Sequence, residues 1–313
     1  TNLGLAIFDI VSHLTEKNVT PDLYNYYLNV ENETKRAFFF YVFQFDQDII
    51  KYGYEKNEKR QLLSESLWIN DSLIFSYDTL KNQNDFSGIK VISPTLNQNF
   101  EGVESVLKYM VNNTALSDSH PLKKMIKYVS TMLWFRTLDE NRYIGYKNKS
   151  TDYLDFIFDD AVLQEFQDFL HRSGVEENLI VKTDADGVKR LYFDTKTPLP
   201  FLKTASSGTK ALYTFFYWYK TASDVSFLFM DEFDAYYHYE LAESIVLLLE
   251  KMPHTQVMMT SHNTNLLSNR IMRPDCYFIL TKEKITALVN ATDRELREGH
   301  NLEKLYMSGE FDG

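Results

Sequence analysis

Hydrophobic and polar positions repeat with two different periods along this chain. Near the start, apolar residues recur three and four positions apart, which predicts an amphipathic helix over residues 3–14. Aromatic-rich runs at 38–45 and 49–54 then predict a β-hairpin, and further strand-like runs follow at 62–68 and 73–77. The first part of the chain is therefore expected to be a helix that leads into an antiparallel sheet.

Helical spacing returns in the middle of the chain. Apolar residues three and four positions apart predict helices over 103–111, 122–138 and 153–170. Because no heptad pattern persists through them, we expect a compact helical lobe rather than a coiled coil.

The last third of the chain alternates between the two periods. A short hairpin is predicted from 179–181 and 190–193, and a final one from 276–280 and 285–289. From Ser206 onward the order helix, strand, helix, strand is typical of a parallel sheet covered by helices. The pattern thus predicts an α/β protein with three parts: 1–99 and 175–313 as the two pieces of a core domain, and 100–174 as a helical insertion.

Composition excludes several classes of protein. A content of 44% hydrophobic and 25% charged residues is ordinary for a globular chain, and no apolar run reaches the ~20 residues of a membrane span. The net charge of -11 disfavours a surface that binds nucleic acid, although a local basic patch is not excluded by the total charge. A single cysteine, Cys276, fits a reducing compartment, so we expect a cytoplasmic protein without a membrane partner.

Two adjacent carboxylates, Asp231 and Glu232, follow a strand-like apolar run at 225–230. Ligands bind at the C-terminal ends of strands in a parallel sheet, and Mg²⁺ prefers carboxylate oxygens. Asp231 would hold Mg²⁺, and Glu232 would be the general base for an attacking water. The simpler alternative is a strand that ends in two solvated acids.

A histidine, His262, follows the next apolar strand at 257–260. The predicted helix 240–251 is long enough to cross over between the two strands, which would place His262 beside Glu232. There it would donate a hydrogen bond to a γ-phosphate. The alternative is a histidine in a helix cap or in the core.

Small hydroxyl residues precede an apolar helix at Ser206-Ser207-Gly208-Thr209-Lys210. The free N–H groups and positive dipole end of such a turn bind phosphate. A plain serine N-cap is the alternative interpretation.

Together, SSGTK, FLFMDEFDAYYH and TSHN resemble the signature motif, the Walker B strand with its D-loop, and the switch-histidine segment of ABC-type ATPases. The form is that of bacterial AAA-domain ATP-binding proteins, which are related to the heads of chromosome-maintenance and repair ATPases and to ATPases of phage defence. The resemblance implies a P-loop NTPase of the ABC-head type, with an antiparallel β subdomain and a helical insertion. It also implies ATP and Mg²⁺ as cofactors.

The resemblance assigns further residues to the nucleotide. Ser207 and Gly208 would make the signature contacts in trans, and residues 235–238 would be the D-loop. The nucleotide would also be bound by Ser206, Thr209, Lys210, Asp234 and Ala235. Ser206 and Thr209 depart from the family pattern, and Gln44 and Gln98 are the candidates for the Q-loop. Because each signature helix caps the γ-phosphate held by the other subunit in this family, the resemblance implies a homodimer or a higher even homo-oligomer.

Thr1-Asn2-Leu3 resembles the end of the phosphate-binding loop G-x-x-x-x-G-K-S/T-N. Thr1 would then be a hydroxyl ligand of Mg²⁺, Asn2 would lie at the nucleotide, and the loop with its lysine would precede Thr1 in the family pattern.

The leading functional hypothesis is an ATPase that acts as a nucleotide-dependent sensor, regulator or assembly scaffold, with a protein effector in trans and residues 100–172 as the partner surface. The resemblance implies a role in phage defence. Three alternatives stay open: a DNA-tethering or repair ATPase head, the nucleotide-binding subunit of a transporter, and an inactive ATPase that serves as a scaffold.

Overall fold

A computed structural model describes residues 2–15, 17, 27–29, 31, 33–100, 103–137, 142–145, 155–221 and 223–311. The chain divides into two compact units. The first comprises Thr1–Trp134 and Ile144–Asn148, and the second comprises Phe135–Tyr143 and Lys149–Gly313. The three-part division drawn from the sequence stays a prediction.

The first unit is built on a five-stranded antiparallel sheet with the strand order β1-β2-β3-β4-β5. Its strands are β1 (Arg36–Phe45), β2 (Asp48–Asn57), β3 (Leu62–Ile69), β4 (Ser72–Asp78) and β5 (Gln83–Asp85). The ladder between β1 and β2 runs without interruption from Arg36↔Asn57 to Phe45↔Asp48, which confirms the predicted hairpin. The predicted helix followed by an antiparallel sheet is therefore correct.

Helices of the first unit are α1 (Asn2–Leu14), α2 (Ile89–Ile92), α3 (Val106–Asn112) and α4 (Pro121–Ser130). Helix α1 buries Phe8, Ile10 and Val11 completely or almost so, as its periodicity predicts. Its Gly4 lies against the ring of Trp134, and a β-carbon at that position would come within 2.2 Å of the ring. Only glycine fits this approach without moving the helix or the indole.

The remaining strands are β6 (Leu133–Arg136), β7 (Arg142–Gly145), β8 (Leu179–Thr183), β9 (Lys189–Phe193), β10 (Leu199–Pro200), β11 (Phe227–Asp231), β12 (Gln256–Met259), β13 (Phe278–Leu280) and β14 (Ile285–Ala287). A four-stranded sheet has the order β12-β11-β6-β7. Within it β11 and β12 are parallel, in register from Phe227↔Gln256 to Met230↔Met259. The predicted hairpins β8-β9 and β13-β14 are both present.

The remaining α-helices are α5 (Asp160–Arg172), α6 (Phe201–Thr204), α7 (Ser207–Thr221), α8 (Tyr239–Leu249) and α9 (Leu302–Met307). Short 3₁₀ helices occur at Phe156–Phe158, Thr264–Leu266, Pro274–Cys276 and Leu288–Asn290. Helix α8 connects β11 to β12, so the predicted order of helix, strand, helix, strand from Ser206 onward is confirmed. Among the described residues, no helix is both long and apolar enough to span a bilayer.

The predicted helix over 122–138 is wrong beyond Ser130, where α4 ends. The next apolar run, Leu133-Trp134-Phe135, is buried throughout and forms β6, which lies between β11 and β7 in the sheet. A strand inside a sheet is covered on both faces, so its sequence is a continuous apolar run that matches neither period. The third predicted helix begins later than expected, at Asp160, where Asp159 caps it; residues 153 and 154 lie outside the described residues.

Helix α7 is buried on almost all sides in the second unit. Aromatic rings of α5 pack on it, with Phe166 5.1 Å from Phe216 and 5.4 Å from Tyr213 between ring centroids. Such aromatic packing fixes the helix firmly. Its first turn is therefore held in a defined place.

Candidate functional site

The acidic pair lies where the buried strand β11 ends. All five residues of β11 are buried, including Asp231 at 7% exposure, and the side chain of Glu232 is 17% exposed. The backbone of Glu232 has φ +53°, a left-handed conformation that costs a non-glycine residue about 1–2 kcal/mol. Directly afterwards, Phe233 is buried again. A strained residue of this kind at a strand end is typical of functional sites.

Thr260, directly after β12, holds both acidic residues. Its hydroxyl donates to Oδ1 of Asp231 at 2.8 Å and accepts from the backbone N–H of Glu232, also at 2.8 Å. Its backbone N–H donates to the carbonyl of Met230, and its carbonyl accepts from the N–H of Phe233. The end of β12 is thus bonded to every residue from Met230 to Phe233.

The two residues after Thr260 contact the same loop. Nε2 of His262 lies 3.2 Å from Oε1 of Glu232, and the imidazole is 91% exposed. The hydroxyl of Ser261 donates to Oδ2 of Asp234 at 2.8 Å. The geometry therefore brings Glu232 and His262 together, as expected from two neighbouring strands joined by a crossover helix.

The segment from Ser206 to Lys210 forms the start of α7, which begins at Ser207. Oγ of Ser206 accepts from the N–H of Thr209 at 3.1 Å and lies 2.8 Å from the Thr209 hydroxyl, so Ser206 is the N-cap. The N–H groups of Ser207 and Gly208, in the first turn, have no intrahelical acceptor. Ser207 is exposed, whereas Thr209 is buried and Lys210 is half-buried.

The first turn of α7 lies against the loop that follows β11. A β-carbon on Gly208 would come within 3.0 Å of the carbonyl oxygen of Tyr236, so glycine permits this contact. In the same loop, the N–H of Ala235 donates to the carbonyl of Glu232 at 3.1 Å, and Ala235 itself is exposed. The signature and D-loop candidates are therefore neighbours within one unit.

Of the four other candidate residues, three belong to the first unit and one lies outside the described residues. Asn2 is exposed at the start of α1 in the first unit, and Thr1 lies outside the described residues. Gln44 is exposed on β1, and Gln98 lines a cavity of about 1040 Å³ in the first unit together with Lys56. The roles of these four residues stay predictions.

Two threonines at the site were missed by reasoning from the sequence. Besides Thr260, Thr137 follows β6 and donates its N–H to the carbonyl of Asp231 at 3.3 Å. Thr260 could have been found, since a hydroxyl residue directly after a buried strand is well placed to bond the neighbouring strand end. Thr137 could not, because the apolar spacing around it predicts a helix.

The oxygen donors fit a magnesium ion. No group of three His, Cys, Asp or Glu side chains suited to a metal occurs in the described part of the chain. Mg²⁺ in nucleotide sites is held by one or two carboxylates together with phosphate oxygens and water. The carboxylate of Asp231, fixed by Thr260 at a strand end, therefore suits this ion as a single protein ligand.

Comparison with solved structures gives matches to SMC heads. One is "Crystal structure of the SmcHead bound to the C-winged helix domain of ScpA", with 14% identity, TM-score 0.37 and coverage of 84% of this chain and 78% of that one. Another is "SMC head domain from Thermotoga maritima", with 15% identity, TM-score 0.33 and coverage of 74% and 66%. No curated protein matches the chain.

A family model provides the assignment. The model described as "AAA domain, putative AbiEii toxin, Type IV TA system" matches residues 20–268, which include the acidic pair, the signature candidate and His262. This match confirms the predicted resemblance to AAA-domain ATPases and the predicted α/β P-loop NTPase fold. The chain belongs to this family of AAA-domain, nucleotide-binding ATPases.

Proposed function

We propose that this chain hydrolyses ATP at the ends of β11 and β12. The observation that supports the proposal best is the hydrogen-bonded group of Asp231, Glu232, Thr260 and His262 at the C-terminal ends of two adjacent parallel strands. Ligands bind at this edge in open α/β sheets. An acid pair used only for solubility would not need a strained backbone held by a neighbouring strand.

Each side chain has a defined part in the proposed reaction. Glu232 takes a proton from water as the water oxygen bonds to the γ-phosphorus and the bond from phosphorus to the β–γ bridging oxygen breaks, which leaves ADP and phosphate. His262, exposed and in contact with Glu232, orients the carboxylate and donates to a γ-phosphate oxygen. Asp231 would hold Mg²⁺, and the ion would supply positive charge that neutralises the phosphates.

The first turn of α7 would act on a second subunit. Ser207 is exposed and, with Gly208, presents N–H groups at a helix N-terminus, which suits a γ-phosphate held by a partner. Ser206, Thr209 and Lys210 shape that turn, while Asp234 and Ala235 lie in the adjacent loop. We therefore propose a homodimer, or a higher even homo-oligomer, that closes on ATP.

The assembly would act as a nucleotide-dependent sensor or regulator, with a separate protein effector. The toxin and antitoxin wording of the family description supports a place in bacterial defence. A DNA-tethering role is the second candidate, and the net charge of -11 counts against it.

The proposal is tested by phosphate release from Mg-ATP with the full polypeptide and its Glu232→Gln variant. Loss of a general base should lower turnover by about a hundredfold to ten-thousandfold while ATP binding persists. Glu250→Gln, which removes one exposed charge just after α8, is the matched control and should turn over normally. Equal turnover by the Glu232→Gln variant and the unaltered protein would contradict the assignment.

A further inference from the structure

We propose that Thr260 is a positioning residue for hydrolysis, an inference that rests on the proposed ATPase function. A hydroxyl group has one donor and two acceptor positions. Thr260 uses the donor for the carboxylate of Asp231 and one acceptor for the N–H of Glu232, both at 2.8 Å. One oxygen atom therefore fixes the side chain of one acid and the backbone of the other.

The backbone of Thr260 strengthens this arrangement. The N–H of Thr260 donates to the carbonyl of Met230 at 2.9 Å, and the carbonyl of Thr260 accepts from the N–H of Phe233 at 3.1 Å. These two hydrogen bonds lie on either side of the acidic pair. Between them lies the left-handed turn at Glu232, which persists only if its surroundings hold it. Removing the hydroxyl would leave the Glu232 N–H without its acceptor, at the residue whose conformation is strained.

Thr260 also sets the distance between Glu232 and His262. The imidazole lies two residues further along the same segment, and its Nε2 is 3.2 Å from Oε1 of Glu232. Thr260 is hydrogen-bonded to Glu232 and lies two residues before His262 in the chain. A shift of Thr260 therefore changes the distance between Glu232 and His262. Reacting groups displaced by about 1 Å can lose a hundredfold in rate.

A purely structural role makes a different prediction from a positioning role, and the chain contains a matched control. Thr255 donates its hydroxyl to the carbonyl of Val225 at 2.8 Å, at the opposite end of the same pair of strands. Thr255→Val and Thr260→Val make the same chemical change between the same two segments, but the first removes one hydrogen bond and the second removes two. Only the second change touches the acidic pair.

The experiment measures kcat and KM for Mg-ATP, together with the melting temperature, for Thr260→Val, Thr260→Ser and Thr255→Val in the full polypeptide. We expect Thr260→Val to lower kcat by about tenfold to a hundredfold, with KM almost unchanged. Thr260→Ser, which keeps the hydroxyl, should restore most of kcat. Thr255→Val, which removes one hydrogen bond instead of two, should lower the melting temperature by less than Thr260→Val does, while kcat stays near that of the unaltered protein.

A Thr260→Val variant with the kcat of Thr255→Val would overturn the positioning role. If Thr260→Val does not fold, Thr260→Ser and Thr260→Ala differ by the same oxygen atom, and equal kcat values for these two would also overturn it. Normal turnover by the unaltered protein and its loss in Glu232→Gln would then show that the proposed function survives. Absence of turnover in the unaltered protein would instead overturn the function and this inference with it.

Discussion

Two polar clusters, one in each unit, use their charges in opposite ways. In the first unit, Nζ of Lys56 lies 2.6 Å from Asp9, which also accepts from the hydroxyl of Tyr54, and the charged side chains are 4% and 1% exposed. In the second unit, Glu232 contacts a histidine that is 91% exposed. The first cluster is almost fully buried and internally paired, whereas the second keeps an ionisable partner exposed to solvent.

This difference distinguishes a cluster that stabilises the fold from a cluster that can bind a ligand. A second buried acid in the first unit, Glu65, accepts from the hydroxyls of Tyr52 and Ser105 and from the N–H groups of Val106 and Leu107, and so anchors the start of α3. Burial raises the pKa of Glu65. All its partners belong to the fold, so it has no capacity left for a ligand. The strand-end cluster instead has backbone strain and an open side.

The largest expected effect on stability is at the buried cluster. Lys56→Met would leave Asp9 buried without its close cation, which should lower the free energy of unfolding by about 3–5 kcal/mol. Urea denaturation measures the change. Lys51→Met, on the same strand, breaks an exposed ion pair with Asp71 and should cost less than about 1 kcal/mol. Equal losses for the two variants would remove the distinction between buried and exposed charges.

A smaller loss of stability is expected when the pH is lowered. Burial, followed by the nearby charges of Lys56, Lys108 and Arg60, holds the pKa of His13 well below 6.5, and its Nε2 is bonded to the Tyr52 hydroxyl at 2.8 Å. Just below pH 6.5, His13 therefore binds a proton in the unfolded chain but not in the folded chain. Stability from this residue is present above pH 6.5 and should fall by about 1.4 kcal/mol per pH unit below it.

The comparison that isolates His13 is denaturation of the unaltered protein and of His13→Gln at pH 7.5, 6.5 and 5.5. The variant should lose this part of the pH dependence, because glutamine does not titrate. Parallel curves for the two proteins would show that His13 is not responsible.

How far the sequence predicts this molecule depends on the kind of element. Strand β11, the acid pair and His262 were predictable because an apolar run that ends in charge has few other interpretations. Strand β6 was not, since Leu133 to Phe135 continues the apolar spacing of α4.

The position of β6 beside β11 also means that removing residues 100–172 would remove a core strand. The partner surface proposed in that segment is therefore better tested by substitutions on exposed faces of α3 and α4.

The role of Thr260 was also beyond the sequence. Its hydrogen bonds depend on the register of β11 with β12, which places Met230 opposite Met259. Register follows from the folded sheet, and a one-residue slip would move the hydroxyl to the other face.

The central claim is that Glu232 and His262 form one hydrolytic unit, and a double-mutant cycle of phosphate release tests it most directly. His262→Ala alone should lower turnover by about tenfold to a hundredfold, and Glu232→Gln by more. Residues that act as a unit are strongly non-additive, so the double variant should be no slower than Glu232→Gln. Losses that multiply in the double variant would show that the two side chains act independently and would contradict the account.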